Sequence, residues 1–368
     1  MADRIQAIDV LRGVTVALMI IVNTAAVQGT AFAPLLHAEW NGLTLADLVF
    51  PTFLFVVGAA LSFVLDRYGQ AGPSTVLRKI AIRTVLIFLC GYLLEWFPFC
   101  SVGSSGHLTL VAIAHTRILG VLQRIALCYG CAALIVYVWQ LRGAVVFGIG
   151  ALLGYWWLLH RFGDYTAAGN AVLKLDRLVL GESHMPHAAG VAFDQEGLLS
   201  TLPAIVNVLA GYLTGRFLLV RGTGQGSITR LALAGAICAL VALCWSAVLP
   251  FNKKLWTSSY VLCAAGIDLG VLAVLIYLVS DGANRAWVRF LGVFGRNALI
   301  VYMLSEAGNS ILNIAQPQGA NWFNTASAAG IGAWLASKSG SLLVATLCML
   351  LCWCVAYALD RKGLHIKI

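Results

Sequence analysis

Ten stretches of this chain are apolar over the length of a bilayer core, and that pattern leaves few folds open. Their approximate limits are 7–27, 44–65, 79–97, 116–138, 143–160, 197–219, 229–249, 256–280, 287–306 and 340–359. A helix of about 20 apolar residues spans about 30 Å of hydrocarbon, and backbone polar groups left bare in lipid are too costly to tolerate. The expected fold is all-α: a polytopic membrane helix bundle of about ten transmembrane helices, forming one domain over residues 1–368. Composition agrees, with 60% hydrophobic and 11% charged residues and a mean hydropathy of +0.88; a soluble domain is about half apolar and a quarter charged. The first run is too long for the apolar region of a secretory signal, so it reads as the first membrane helix.

An even number of spans puts both termini on one face, and the distribution of cations chooses that face. Sixteen of the 24 Lys and Arg residues fall on the terminal side, among them Arg12, Arg78, Lys79 and Arg296. The other eight, including Arg117, Arg124, Lys253 and Lys254, fall opposite. Both termini are therefore expected to be cytoplasmic, with His37 and the 161–196 and 307–339 loops in the opposite compartment. The net charge of +9 is spread over these loops and orients a membrane fold, so nucleic acid is not an expected partner.

Against this apolar background the polar residues stand out. The segment from His37 to Pro51 places an imidazole, the carboxylates Glu39 and Asp47, the Trp40 indole and the Asn41 amide between the first two runs. Ionisable groups at membrane depth are costly and tend to mark a pathway or a reacting site. His37 reads either as a solvated loop histidine or as a group that exchanges protons near neutrality. Asp47 suits a helix cap or the orientation of a base. Asn23 lies deep in the first helix, where its amide needs a partner: a substrate carbonyl or a neighbouring helix. Arg124 and Arg296 sit inside apolar runs and are expected to line a cavity. Asp9 and Arg12, three apart, read as an ion pair. Lys253, Lys254 and Trp256 read as interfacial anchors.

Other motifs carry less. The ten cysteines fall almost entirely within apolar runs and read as packing residues. His184 and His187 flank Pro186 and have no adjacent acidic ligand, so no metal is expected. Gly222-Thr223-Gly224-Gln225-Gly226 lacks the Lys-Ser/Thr of a phosphate loop and reads as a linker.

Several blocks together resemble one family. Asp9 with Leu11-Arg12-Gly13, then Asn23, then His37-x-x-Trp40-Asn41-Gly42-Leu43-Thr44-x-Ala46-Asp47-Leu48-Val49-Phe50-Pro51 are similar to the heparan-α-glucosaminide N-acetyltransferase family, whose bacterial members occur among N-acetylglucosamine-utilisation proteins. The likeness continues through Gly120 to Arg124, Phe193 to Thr201, Asn252 to Tyr260 and Asn297 to Tyr302. The resemblance implies transfer of acetyl from cytosolic acetyl-CoA to a sugar amine across the membrane, here the bacterial inner membrane. It matches the family's active-site histidine to His37 and its nearby Asn and Asp to Asn23 and Asp47. His37 would then be a general base or the acetyl acceptor, and Asn23 a donor to the oxyanion. Candidate cations for the CoA phosphates are Arg12, Arg78, Lys79 and Arg296, with Arg124 a further cofactor-binding candidate. The acceptor is expected to be a glucosamine-type sugar, and the likeness is compatible with a homodimer. An amino-sugar transporter and an O-acyltransferase of an envelope glycan are the alternative readings.

Overall fold

Helices make up nearly all the regular structure, as the apolar runs require. The computed structural model describes residues 5–27, 31–68, 72–102, 108–188, 191–280, 285–313 and 337–364. The helices are α1 (Gln6–Val27), α2 (Leu45–Tyr68), α3 (Pro73–Trp96), α4 (Val121–Phe162), α5 (Ala171–Val179), α6 (Leu198–Arg221), α7 (Gln225–Ser246), α8 (Ser258–Ser280), α9 (Ala286–Arg296), α10 (Ala298–Asn313) and α11 (Lys338–Arg361). Two short antiparallel hairpins, Cys100–Val102 with Leu108–Leu110 and His187–Ala188 with Val191–Ala192, decorate the loops. Among the described residues seven helices are long and apolar enough to cross a membrane, or eight if the bent pair α9–α10 is one span.

One element keeps two expected runs and another departs from its run. The spans expected at 116–138 and 143–160 are the two halves of α4, which meet at a single non-helical residue, Gln140, at φ 54° and ψ −153°. Arg124 stacks over the Trp256 ring at 4.8 Å, and the Tyr155 hydroxyl donates to the Leu255 carbonyl. A straight helix would hold positions 124 and 155 about 46 Å apart at its rise of about 1.5 Å per residue. Both reach adjacent residues, so the chain folds back at Gln140 into two antiparallel halves. The run expected at 287–306 is instead broken at Asn297 into α9 and α10, bent by 76°.

Small residues bring the helix axes close, the usual device where lipid tails already match the apolar side chains. A Cβ on Gly58 of α2 would lie 1.8 Å from the Val208 carbonyl oxygen of α6, and one on Gly211 would lie 1.8 Å from that of Phe55. The α2–α6 seam therefore has no room for a larger side chain at either glycine. The main core is built from α1, α2, α4, α6 and the Trp256–Tyr260 region, with Phe50 and Tyr260 both packed edge-on against Trp256.

Candidate active site

The loop after α1 and the turn before α8 meet at one end of the bundle. Gly42 donates its backbone N–H to the Phe251 carbonyl at 2.9 Å, and Asn252 Nδ2 donates to Asn41 Oδ1 at 3.0 Å. Trp40 Nε1 donates to the Tyr165 carbonyl at 2.6 Å. These bonds fix the loop that carries His37. Its partner Asp47 lies in the first turn of α2 with 1% of its side chain exposed. Asp47 Oδ1 is 2.9 Å from His37 Nδ1. Its Oδ2 accepts from Ala38 N at 3.2 Å, Thr44 N at 3.1 Å and Thr44 Oγ1 at 3.0 Å. A buried carboxylate facing Nδ1 favours the tautomer with the proton on Nδ1, which leaves the Nε2 lone pair available. Pro51 lacks an N–H, so the Asp47 carbonyl has no helical partner; the Tyr260 hydroxyl donates to it instead at 2.6 Å.

Lys253 completes the group. Its Nζ is 3.2 Å from His37 Nδ1, 3.3 Å from Nε2 and 3.9 Å from Asp47 Oδ1. It is not exposed as an anchor would be. The turn that presents it is stapled by Asn252, whose Oδ1 accepts from Leu255 N at 2.8 Å. Trp256, the last residue of that turn, has φ +54° and 1% exposure, and its Nε1 donates to Asn207 at 3.0 Å. A buried non-glycine residue in the left-handed region costs of order 1–3 kcal/mol and persists only where the surroundings impose it. Burial pushes the Lys253 ammonium below the ordinary lysine range; Asp47 and Glu196 pull against that shift, while Arg124 and Lys254 add to it.

Beside this group Arg117 gathers three carboxylates: Asp194, Glu196 and, at 3.6 Å, Glu95. Burial pushes the Asp194 carboxyl up. Glu196 is also pushed up by burial, but Arg117, Arg124 and Lys253 outweigh it and leave it below its usual range. Asn23 Nδ2 donates to Glu306 Oε1 at 2.7 Å, so its amide ties α1 to α10. That hydrogen bond goes to α10 and not to His37. Arg124 has no exposed surface; it donates to the Gly197 carbonyl at 3.1 Å and to Ser200. The structure thus places Arg124 at the His37 end, apart from the other candidate CoA cations.

A cavity of about 360 Å³ lies among α1, α2, α3, α4, α9 and α10. Arg12, Arg83 and Arg296 line it, together with Phe53, Val57, Leu122, Ile125 and the first residues of α10. Arg12 donates to the Gly295 carbonyl at 3.2 Å, and Arg296 pairs with Asp360 through bonds of 2.6 and 2.7 Å. Arg83 stacks on Tyr129, and its buried Nε has no hydrogen-bond partner. The break at Asn297 also turns the N-terminus of α10 towards this space, and helix N-termini attract anions. Arg78 and Lys79 lie on the exposed first turns of α3, outside the lining. Among the described residues no group of His, Cys, Asp and Glu is arranged to hold a metal. His184 instead has its Nδ1 2.9 Å from the Thr116 carbonyl.

Four site features escaped the sequence reading: Lys253, Arg83, Glu306 and the Arg117 cluster. Arg83 follows Lys79 by one helical turn, a signal that was present. Glu306 and Lys253 become neighbours of Asn23 and His37 only through the fold.

Fold and site together define a class: a polytopic membrane helix bundle with an imidazole–carboxylate pair at one end and an arginine-rimmed cavity reaching in from elsewhere. Residues 4–251 match the family described as heparan-alpha-glucosaminide N-acetyltransferase, catalytic, and the chain belongs to that family. Two curated relatives are named heparan-alpha-glucosaminide N-acetyltransferase. The Homo sapiens protein is 29% identical, the match covering 82% of this chain and 53% of the relative. The Mus musculus protein is 27% identical, covering 83% and 54%. The chain spans about half the length of these relatives.

Proposed function

We propose that the protein transfers acetyl from acetyl-CoA to the amine of a glucosamine-type sugar, the donor entering at the Arg12–Arg296 end and the sugar at the His37 end. The observation that carries this reading is that the cavity and the His37–Asp47 pair share α2. Phe53, on the cavity wall, lies six residues from Asp47, or about 9 Å along the helix. The lining fits the donor: guanidiniums suit phosphates, and an apolar slot between helices suits a slender acyl-bearing arm. The names of the human and mouse relatives support the same chemistry.

His37 Nε2 takes a proton from the amine as the amine nitrogen attacks the acetyl carbon. The C–N bond forms, the C–S bond breaks and its electron pair leaves on sulfur. The imidazolium then returns the proton to the thiolate, so amine and thioester become amide and thiol. Asp47 holds Nδ1–H throughout and stabilises the imidazolium.

The test is radiolabelled acetyl-CoA with purified protein and glucosamine. Wild type is expected to form N-acetylglucosamine, and His37→Ala to lower the rate by about 10³-fold or more with folding intact. A folded His37→Ala variant with normal transfer would remove His37 from this role. Label that appears as a hydroxylamine-labile ester would replace the amine acceptor with a hydroxyl, and label on the protein without acceptor would mark an acetyl-histidine route.

A further inference from the structure

We propose that Lys253 is a catalytic residue of this site, donating an N–H to the acetyl carbonyl oxygen as negative charge develops on it. The inference rests on the acetyl-transfer reading above and assigns that reaction an electrophile.

The position of the Lys253 nitrogen is the first argument. Distances of 3.2 and 3.3 Å to the two ring nitrogens place it astride the imidazole. A lysine bonded to the Nε2 lone pair would approach that atom and stand well back from Nδ1. Here it lies within hydrogen-bond distance of both, so its N–H groups stand on the side of the ring where Nε2 would meet the amine, beside the carbonyl that the amine attacks. An ammonium has three donors, and its contacts with His37 and with Asp47, the latter at 3.9 Å, leave it capacity for another acceptor.

The second argument is its support. Lys253 comes from a turn held by Asn252 and by Trp256 in a strained backbone conformation, and only 12% of its side chain is exposed. A lysine that serves as a membrane-surface anchor keeps its head group in water. This one is withdrawn from water and held against the reacting pair, where a charge–dipole contact is worth more than in solvent.

The third argument is by elimination among described donors. Asn23, the amide suggested for the oxyanion, turns Nδ2 to Glu306 on α10, with one of its two N–H groups bonded there at 2.7 Å. Arg124 turns Nη2 to Gly197 and Ser200 and its plane to the Trp256 ring, and its Nε and Nη1, buried without a hydrogen-bond partner, make no bond to His37. Lys254 donates to the Glu39 carbonyl at 2.6 Å. Lys253 alone of these touches His37.

The electrostatic setting gives the proposal a pH signature. The charged groups facing Lys253 are Asp47 on α2, His37, Glu196, Arg124 on α4 and its neighbour Lys254. Burial holds its ammonium below the ordinary lysine range. Activity should therefore decline on the alkaline side before a free lysine would titrate, as the charged donor is lost.

The experiment measures initial rates for wild type, Lys253→Met, Lys253→Arg and Lys253→Ala, each checked for monodispersity, with acetyl-CoA and glucosamine. Lys253→Met is expected to lower kcat by about 10²–10³-fold, the usual cost of one oxyanion donor, with KM for acetyl-CoA changed by less than threefold. Lys253→Arg should retain part of the rate and extend activity to higher pH. Added ethylamine should partly restore Lys253→Ala, which repair of a merely structural defect would not do. Wild-type kcat in folded Lys253→Met, or an alkaline limb identical in wild type and Lys253→Arg with no amine rescue, would overturn the role of Lys253. A wild-type protein that acetylates no acceptor would instead overturn the reading on which the proposal rests.

Discussion

Asp47 answers a choice that its position in the sequence leaves open. Capping and orientation are separate expectations for a carboxylate near a helix start, and the two oxygens divide them. Thr44 and Asp47 form a reciprocal capping box: Oδ2 accepts from Thr44 N, and Asp47 N donates to Thr44 Oγ1 at 3.4 Å. Oδ1 remains for His37. Asp47→Asn should therefore keep the cap and lose the orienting anion, since an amide N–H turned to the ring would demand the lone pair on Nδ1 and move the proton to Nε2. The expected result is a folded protein with kcat lower by about 10²–10⁴-fold, checked by steady-state rates beside a thermal melt. A drop in stability with kcat preserved would show that Asp47 only caps. His37 and Asp47 were legible because each interrupts an apolar pattern. Lys253 was not, because it is 216 positions from His37 and a cation beside an apolar run is ordinary at a membrane surface.

At the scale of elements, hydropathy located the helices it could measure. Expected limits of 7–27, 197–219 and 340–359 meet α1, α6 and α11 to within two residues. The start of α3 was missed by six, because Arg78 and Lys79 hide a helix that begins with Pro73 at its first turn. The break at Asn297 was also hidden: Gly295 lies two residues before it, but the hydropathy runs through both. Helix α5 escaped because its nine residues are amphipathic rather than apolar. It nonetheless matters to α6. Asp176, without exposed surface, accepts from Leu198 N at 2.9 Å and so caps α6, while its other oxygen is buried without a partner. Burial raises its carboxyl from 3.8 to about 6. Since the folded value lies above the unfolded one, the fold favours the protonated acid. That contribution is fully present below about pH 4 and is lost as pH rises through 6. A shift of this size corresponds to about 3 kcal/mol. Asp176→Asn keeps the acceptor for Leu198 without the buried charge, so it should raise thermal stability at pH 7.5 and leave it nearly unchanged at pH 4. Equal effects of the substitution at both pH values would mean that Asp176 is not titrating in the fold.

For the whole molecule, the proposed reaction has a direction. In the proposed topology Arg12 lies near the start of α1, on the face of the N-terminus, and His37 follows the other end of that helix. The cavity lining is consistent with that division, for its arginines lie on α1, α3 and α9 and its inner wall reaches Phe53 and Leu122. Along α2 the distance from Asp47 to Val64, which also lines the cavity, is about 26 Å, close to the thickness of the hydrocarbon core. A donor bound by its phosphates at one face would thus present its acetyl group to an amine at the other, and neither substrate need cross whole. Sealed proteoliposomes with the protein in one known orientation test this. Acetyl-CoA supplied to the face carrying the termini, with glucosamine confined to the opposite face, should yield N-acetylglucosamine only in the glucosamine compartment. Exchanging the two substrates should abolish the product, because the donor would then meet the His37 end and not the cavity lined by Arg12, Arg83 and Arg296. Equal product from both arrangements would contradict the assigned sides, and free glucosamine that crosses intact without acetyl-CoA would favour transport over transfer.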